Sequence, residues 1–266
     1  MADLQETFIS HLIELRGRVM WALGAVLLVF VALVPWSAEV YDLLAKPMIA
    51  TLPTGTKMIA TGVVTPFMVP IKVTLMAAFA LALPFVLYQA WAFVAPGLYE
   101  HEKRFGLPLV LGSTLLFLLG VAFCYFFVFN TVFKFIAQFA PQSITPAPDI
   151  EQYLSFVMTM FLAFGITFEV PVVVILLARF GVVSIEKLKD ARPYVIVGAF
   201  VIAAIVTPPD VVSQFMLALP MCLLYELGLL IARFTGRRPE AATGEGDYQP
   251  PTDAEMEREL DKAGDS

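Results

Sequence analysis

Read for polarity alone, the chain is a series of long apolar runs separated by short polar breaks. The runs cover about 19–36, 66–93, 107–130, 153–179, 193–206 and 212–232. A membrane helix needs about 20 mostly apolar residues to cross about 30 Å of hydrocarbon. The pattern therefore predicts an all-α, polytopic membrane protein with six transmembrane helices. The runs are not equivalent. The second contains Pro84, and the fourth contains Glu169 and Pro171. The fifth has only fourteen residues, which reach about 21 Å at 1.5 Å per residue. The fifth run, and with it the sixth, reads as short for an ordinary bilayer, which predicts local thinning there.

The polar breaks give the orientation. Thirteen Lys and Arg fall on the side of the N-terminus, the breaks near 96–104 and 180–192, and the tail; four fall on the other side, Lys46, Lys57, Lys72 and Lys134. Positive residues accumulate on the cytoplasmic side, so both ends are expected there. Residues 1–18 read as a cytoplasmic amphipathic N-terminus, 19–234 as the membrane domain, and 235–266 as a disordered acidic cytoplasmic tail. No cleavable leader is expected, because the segment before the first run is long, mixed in charge and followed by no small-residue cleavage site.

Composition sharpens this picture. Hydrophobic residues make up 59% of the chain and charged residues 15%, against about 25% charged in soluble domains. The formal charge of -6 is uneven: residues 240–266 hold nine acidic and two basic residues, which leaves the rest at +1. With no basic stripe, a nucleic-acid partner is not expected. The two cysteines, Cys124 and Cys222, lie inside apolar runs without CxxC spacing and read as small buried hydrophobes. Protease, hydrolase, P-loop and dinucleotide motifs are missing, so neither an enzyme nor a cofactor or metal is expected.

Four features carry possible chemistry. Phe8, Leu12 and Leu15 form one face of an amphipathic N-terminal helix suited to the headgroup layer, with Arg16 and Arg18 toward anionic lipid. Glu14 on that helix needs a partner. In the break at 93–104, Glu100 and Glu102 stand near Lys103 and Arg104. They read either as a solvated loop with internal ion pairs or as a carboxylate site for a guanidinium, whose planar fork lysine cannot match. Glu169 lies deep in an apolar run, where an ionised carboxylate must be protonated, paired or facing water. It reads either as a functional acid or as a structural group bonded to backbone freed by Pro171. The turn at Thr207, Pro208, Pro209 and Asp210, with Gln214 beyond it, reads as a rigid cap on a helical hairpin. Glu226 reads as a partner for a nearby arginine or as a snorkelling acid.

The stretches 11–16 (HLIELR), 91–99 (WAFVAPGLY), 164–171 (FGITFEVP), 192–194 (RPY) and 207–210 (TPPD) together resemble the TatC family, the membrane receptor subunit of the twin-arginine protein translocase. The resemblance covers about 8–234. It implies a cup-shaped six-helix bundle in a bacterial inner membrane that binds twin-arginine signal peptides. With TatA and TatB, the single-span partners, it would transport folded cargo proteins using the proton motive force. Other TatC copies and membrane lipids are further implied contacts. Glu102 would be the leading arginine-binding carboxylate, with Glu14 and Arg16 beside it and Phe93, Pro96, Leu98 and Tyr99 shaping the loop. Glu169 would give an intramembrane polar patch, while Pro47, Asp210 and Gln214 would serve assembly or partner-helix docking. The competing reading is an ion-coupled small-solute transporter using Glu169; the lack of internal repeats weighs against it.

Overall fold

The computed structural model describes residues 2–50, 52, 57–94, 103–139, 141, 147–207 and 210–235. Pro96, Leu98, Tyr99 and Glu102, the prolines at 208 and 209, and the acidic tail lie outside the described residues. The described residues form helices α1 (Ala2–Leu33), α2 (Ser37–Ile49), α3 (Thr65–Val94), α4 (Lys103–Phe123), α5 (Phe129–Phe139), α6 (Ile150–Arg179), α7 (Ile185–Asp190), α8 (Arg192–Val206) and α9 (Val211–Thr235). A 3-10 turn, Val34–Trp36, joins α1 to α2, and a π-helical stretch, Cys124–Val128, joins α4 to α5. Five helical segments are long and apolar enough to span a membrane, and α8 is a shorter apolar helix. This is the expected six-helix membrane architecture.

Several boundaries differ from the sequence reading. The amphipathic N-terminus is not a separate surface helix, because α1 runs unbroken from Ala2 to Leu33. The break after it is helical too: α2 continues through Pro47, which sits in its last turn. Of the two helices expected to be short, only α8 is. Its fifteen residues reach about 22 Å, whereas α9 has twenty-five.

Helix α6 is the centre of the bundle. It packs against α3, α4 and α9, whereas α1 packs chiefly on α3, and α8 chiefly on α9. Its buried residues include Leu154, Val157, Met160 and Phe164, while none of residues 11–33 in α1 is fully buried. Helices in lipid gain little from burying apolar groups, so they associate by close packing through small residues. Three glycines provide this around α6. A Cβ on Gly120 of α4 would lie 2.6 Å from the Phe164 carbonyl oxygen, and one on Gly228 of α9 would lie 2.8 Å from Pro171 Cα. One on Gly165 of α6 would enter the Phe117 ring. The helix ends at Gly181, whose φ of 67° is a left-handed value that suits glycine.

Inside α4, buried residues recur at Val110, Ser113, Phe117 and Gly120, then Cys124. Beyond the π-helical stretch the buried positions are Val128, Phe129, Val132 and Phe133. The Phe129 N–H reaches back to the Cys124 carbonyl, which accommodates one additional residue in the turn. Both stripes thus face one aromatic core, in which Phe129 meets Phe161 at 5.3 Å and Phe123 meets Phe164 at 5.9 Å between ring centroids. Cys124 is buried and Cys222 half-buried, and neither is disulfide-bonded.

The far end is closed by polar contacts. Asp149 caps α6 by accepting from the N–H groups of Glu151 (2.9 Å) and Gln152 (3.1 Å). Its other oxygen accepts from the Thr61 hydroxyl at 2.7 Å and the Thr61 N–H at 3.1 Å. Lys72 on α3 donates to Glu151 at 2.8 Å. The hydroxyls of Tyr125 and Tyr153 donate to the carbonyls of Leu43 and Leu44, each at 2.8 Å, and so pin α2 across this end.

Two expectations follow. Gly228→Ala should lower the melting temperature of the detergent-solubilised protein, because backbone must move. Gly112→Ala, in open space, should be neutral or slightly stabilising through the better helix propensity of alanine. Equal shifts in the two variants would contradict the packing argument. The second expectation concerns pH. The Thr61 hydroxyl, followed by the Gln152 N–H, holds the Asp149 carboxyl at about 2, below its ordinary 3.8. A depressed folded-state value adds stability above the unfolded value, which is lost as pH falls toward the folded one. The advantage of wild type over Asp149→Ala in thermal melts should be full at pH 7 and narrow between about pH 4 and pH 2; a gap that widens on acidification would refute it.

Candidate functional site

The expected site residues fall into three groups, and α3 connects two of them. Near the N-terminal end of the bundle, α1 presents Glu14. Its Oε1 accepts from Arg18 Nη2 at 2.5 Å and Nε at 2.9 Å. The acid lies one turn before the base, the favourable i,i+4 order on a helix. The other carboxylate oxygen, Oε2, lies 3.9 Å from His11 Nδ1. The partner that Glu14 needs near anionic lipid is therefore Arg18 of its own helix. Arg16 is exposed. The His11 ring stacks on Phe93 with centroids 4.3 Å apart and planes at 16°. Phe93 is in the last turn of α3, immediately before the loop that carries Pro96, Leu98, Tyr99 and Glu102. The stack thus ties the part of α1 that carries Glu14 to the last turn of α3.

Two residues before Phe93, the Trp91 Nε1–H donates to Ser113 Oγ at 3.0 Å. The Ser113 hydroxyl in turn donates to Glu169 Oε2 at 2.7 Å. This chain joins α3, α4 and α6. Ser113 is fully buried and Glu169 is 9% exposed, and Glu169 Oε1 has no hydrogen-bond partner among the described residues. The partner of the buried acid is a serine side chain, not backbone freed by Pro171 as the structural alternative supposed. An unpartnered carboxyl oxygen in a low-dielectric site is costly, so it either carries a proton or takes a donor from outside the chain.

The third group lies at the other end. Asp210 Oδ1 accepts from the Ser213 N–H at 2.7 Å and caps the start of α9. Gln214 Nε2 donates to the Phe200 carbonyl at 3.3 Å and ties α9 to α8. Asp210 Oδ2 and Ser213 Oγ are buried without a hydrogen-bond partner among the described residues. Pro47 is half-buried near the end of α2. Glu226 takes the first of its two expected roles and pairs with Arg192 at 2.7 Å.

Sequence reasoning singled out neither Ser113 nor the link through Trp91. The signal was available in principle: a serine inside an apolar run carries the same obligation to find a polar partner as Glu169. What no single-sequence pattern gives is that the two obligations meet each other. Among the described residues, no cluster of His, Cys, Asp and Glu suited to a metal ion is present.

Residues 10–220 match the family model described as Sec-independent protein translocase protein (TatC). The chain is 52% identical over 232 residues to the Haemophilus influenzae protein of that name, covering 87% of this chain and 91% of the relative. It is 49% identical over 229 residues to the Escherichia coli K12 protein, covering 86% and 89%. A crystal structure of a twin-arginine translocase receptor, TatC, superposes with a TM-score of 0.74 at 39% identity, covering 84% of this chain and 98% of that one.

The buried relay has a direct check. Ser113→Ala leaves the Trp91 N–H and Glu169 Oε2 without their partner and should destabilise the protein by about 1 kcal/mol, the scale of hydrogen bonds between membrane helices. Thermal melts in detergent report this as a lower midpoint, and an unchanged midpoint would argue that the relay is not formed.

Proposed function

Because the chain belongs to the TatC family of Sec-independent protein translocase proteins, we propose that its cytoplasmic face receives signal peptides bearing consecutive arginines, as the receptor of a complex with TatA and TatB. The observation that carries this reading is the His11–Phe93 stack. Glu14 is one turn from His11 on α1, and Phe93 ends α3 shortly before Glu102 in sequence, which supports a shared site on the side assigned to the cytoplasm by the Lys and Arg count. Two adjacent arginines require two carboxylate acceptors, and Glu14 and Glu102 supply them.

Arg18 already occupies Glu14, but it does not block the site. An i,i+4 ion pair on a helix contributes about 0.3–0.5 kcal/mol, and this one is only half-buried. A charge-assisted hydrogen-bonded pair in a more enclosed site contributes about 1.5–3 kcal/mol. Exchange of Arg18 for an incoming guanidinium is therefore favourable, and Arg18 keeps the empty carboxylate paired until then. Pro96, Leu98 and Tyr99 shape the loop around the second arginine, and Arg16 faces the anionic lipid surface. Glu169 offers its free oxygen to a partner chain from the bundle interior. Asp210, Gln214 and Pro47 serve contacts with single-span partners or further copies at the opposite face. The acidic tail remains in the cytoplasm, and transport of folded cargo across the inner membrane draws on the proton motive force.

The decisive test is binding of a fluorescent signal peptide to the purified chain. An Arg-Arg peptide should bind at least about tenfold more tightly than its Lys-Lys counterpart, because lysine cannot form the bidentate contact. Glu102→Gln and Glu14→Gln should each remove most of that preference. Equal affinity for both peptides would rule out the carboxylate-fork mechanism.

A further inference from the structure

A second charged site, sharing no residue with the first, lies where α8 begins beside α9. Arg192, the first residue of α8, donates from Nη2 to Glu226 Oε2 at 2.7 Å, and its Nε lies 2.7 Å from Glu226 Oε1. The pair borders a groove of about 360 Å³ lined by Leu223, Leu227, Leu229, Leu230 and Arg233. Along α9, Leu223, Glu226, Leu230 and Arg233 are spaced by three, four and three residues, so they share one helix face. Arg233 is exposed and has no ion-pair partner among the described residues. Two arginines and one glutamate leave the groove with one uncompensated positive charge.

The depth of the groove decides what can neutralise it. Below Arg233, Leu223 is 71% exposed and Leu227 and Leu230 are about half exposed; beyond it, Phe234 is 85% exposed. A spanning helix exposes such residues to lipid, not to water. Glu226 lies eight residues before Phe234, about 12 Å along the axis, so the ion pair lies deeper along the apolar helix than Arg233. A cation held among leucines at that depth is costly unless an anion reaches it. The anion must also be compatible with the leucine wall.

We propose that this groove is a binding site for an anionic phospholipid, with its phosphodiester on Arg233, drawn toward Arg192, and an acyl chain along Leu230, Leu227 and Leu223. The Arg192–Glu226 pair sets the net charge: it neutralises one arginine and leaves one, which selects a singly charged headgroup over a zwitterionic one. A guanidinium suits the phosphate because it presents parallel N–H donors. The site is independent of the signal-peptide reading, since it shares no residue with it.

The test is native mass spectrometry of the full chain in detergent, titrated with phosphatidylglycerol or with phosphatidylcholine of matched acyl chains. Wild type should retain phosphatidylglycerol at least about tenfold better than phosphatidylcholine, and Arg233→Gln should remove that advantage. Glu226→Gln, which releases Arg192, should hold phosphatidylglycerol at least as well as wild type. Lys134→Gln, remote from the groove, should behave as wild type. Equal retention of the two lipids, or an Arg233→Gln variant that still discriminates, overturns the proposal. Displacement of the lipid by millimolar glycerol phosphate overturns it as well, because the site would then recognise free phosphate and not a lipid.

Discussion

Close backbone approach around α6 sets the positions of everything else. Where apolar side chains gain little from leaving lipid, helices hold together by contact area at short range and by the few polar bonds that can form between them. Gly120, Gly165 and Gly228 remove the side chains that would keep α4 and α9 away from α6. With α4 seated against α6, Ser113 reaches Glu169. With α9 seated against α6, its Asp210-capped start and the ion pair of Glu226 with Arg192 take their places. The helices outside this nucleus are held differently: α1 by its contact with α3, and α2 by two tyrosine hydroxyls.

Much of the fold was legible in the chain itself, because hydrocarbon imposes a simple rule: a spanning segment must be long, apolar and helical. The runs near 66–93 and 153–179 closely match α3 and α6 for that reason. The rule fails where polarity stops reporting on conformation. The polar residues of α2 do not prevent a helix, because a helix satisfies its backbone groups within itself whatever its side chains. Its proline falls near the end of the helix. Likewise the amphipathic start of α1 continues as helix because no proline separates it from the apolar part, and the one glycine at the junction, Gly17, is tolerated in a helix interior.

The site was partly legible. Glu14 and Glu169 stand out because an acid at each position conflicts with its surroundings. Their partners do not stand out, since Arg18, Ser113 and Trp91 are unremarkable until the fold places them. Three-dimensional proximity also alters the meaning of α3. Trp91 faces the buried acid and Phe93 faces the N-terminal helix, so one helix end supports both the candidate receptor surface and the interior carboxyl. Family resemblance supplied the proposed roles of residues 96–102; the His11–Phe93 stack adds a contact between α1 and the end of α3 just before them.

The π-helical stretch at Cys124–Val128 makes chain length itself a folding variable. Each residue in a helix turns the chain by about 100°. A deletion within the stretch would restore a continuous α-helix and rotate everything beyond it by that amount. Phe129, Val132 and Phe133 would then leave the aromatic core, although each would remain in the sequence and in a helix. In this span a one-residue indel is the more damaging class of mutation, since a substitution disturbs one contact and an indel changes the phase of the whole helical end.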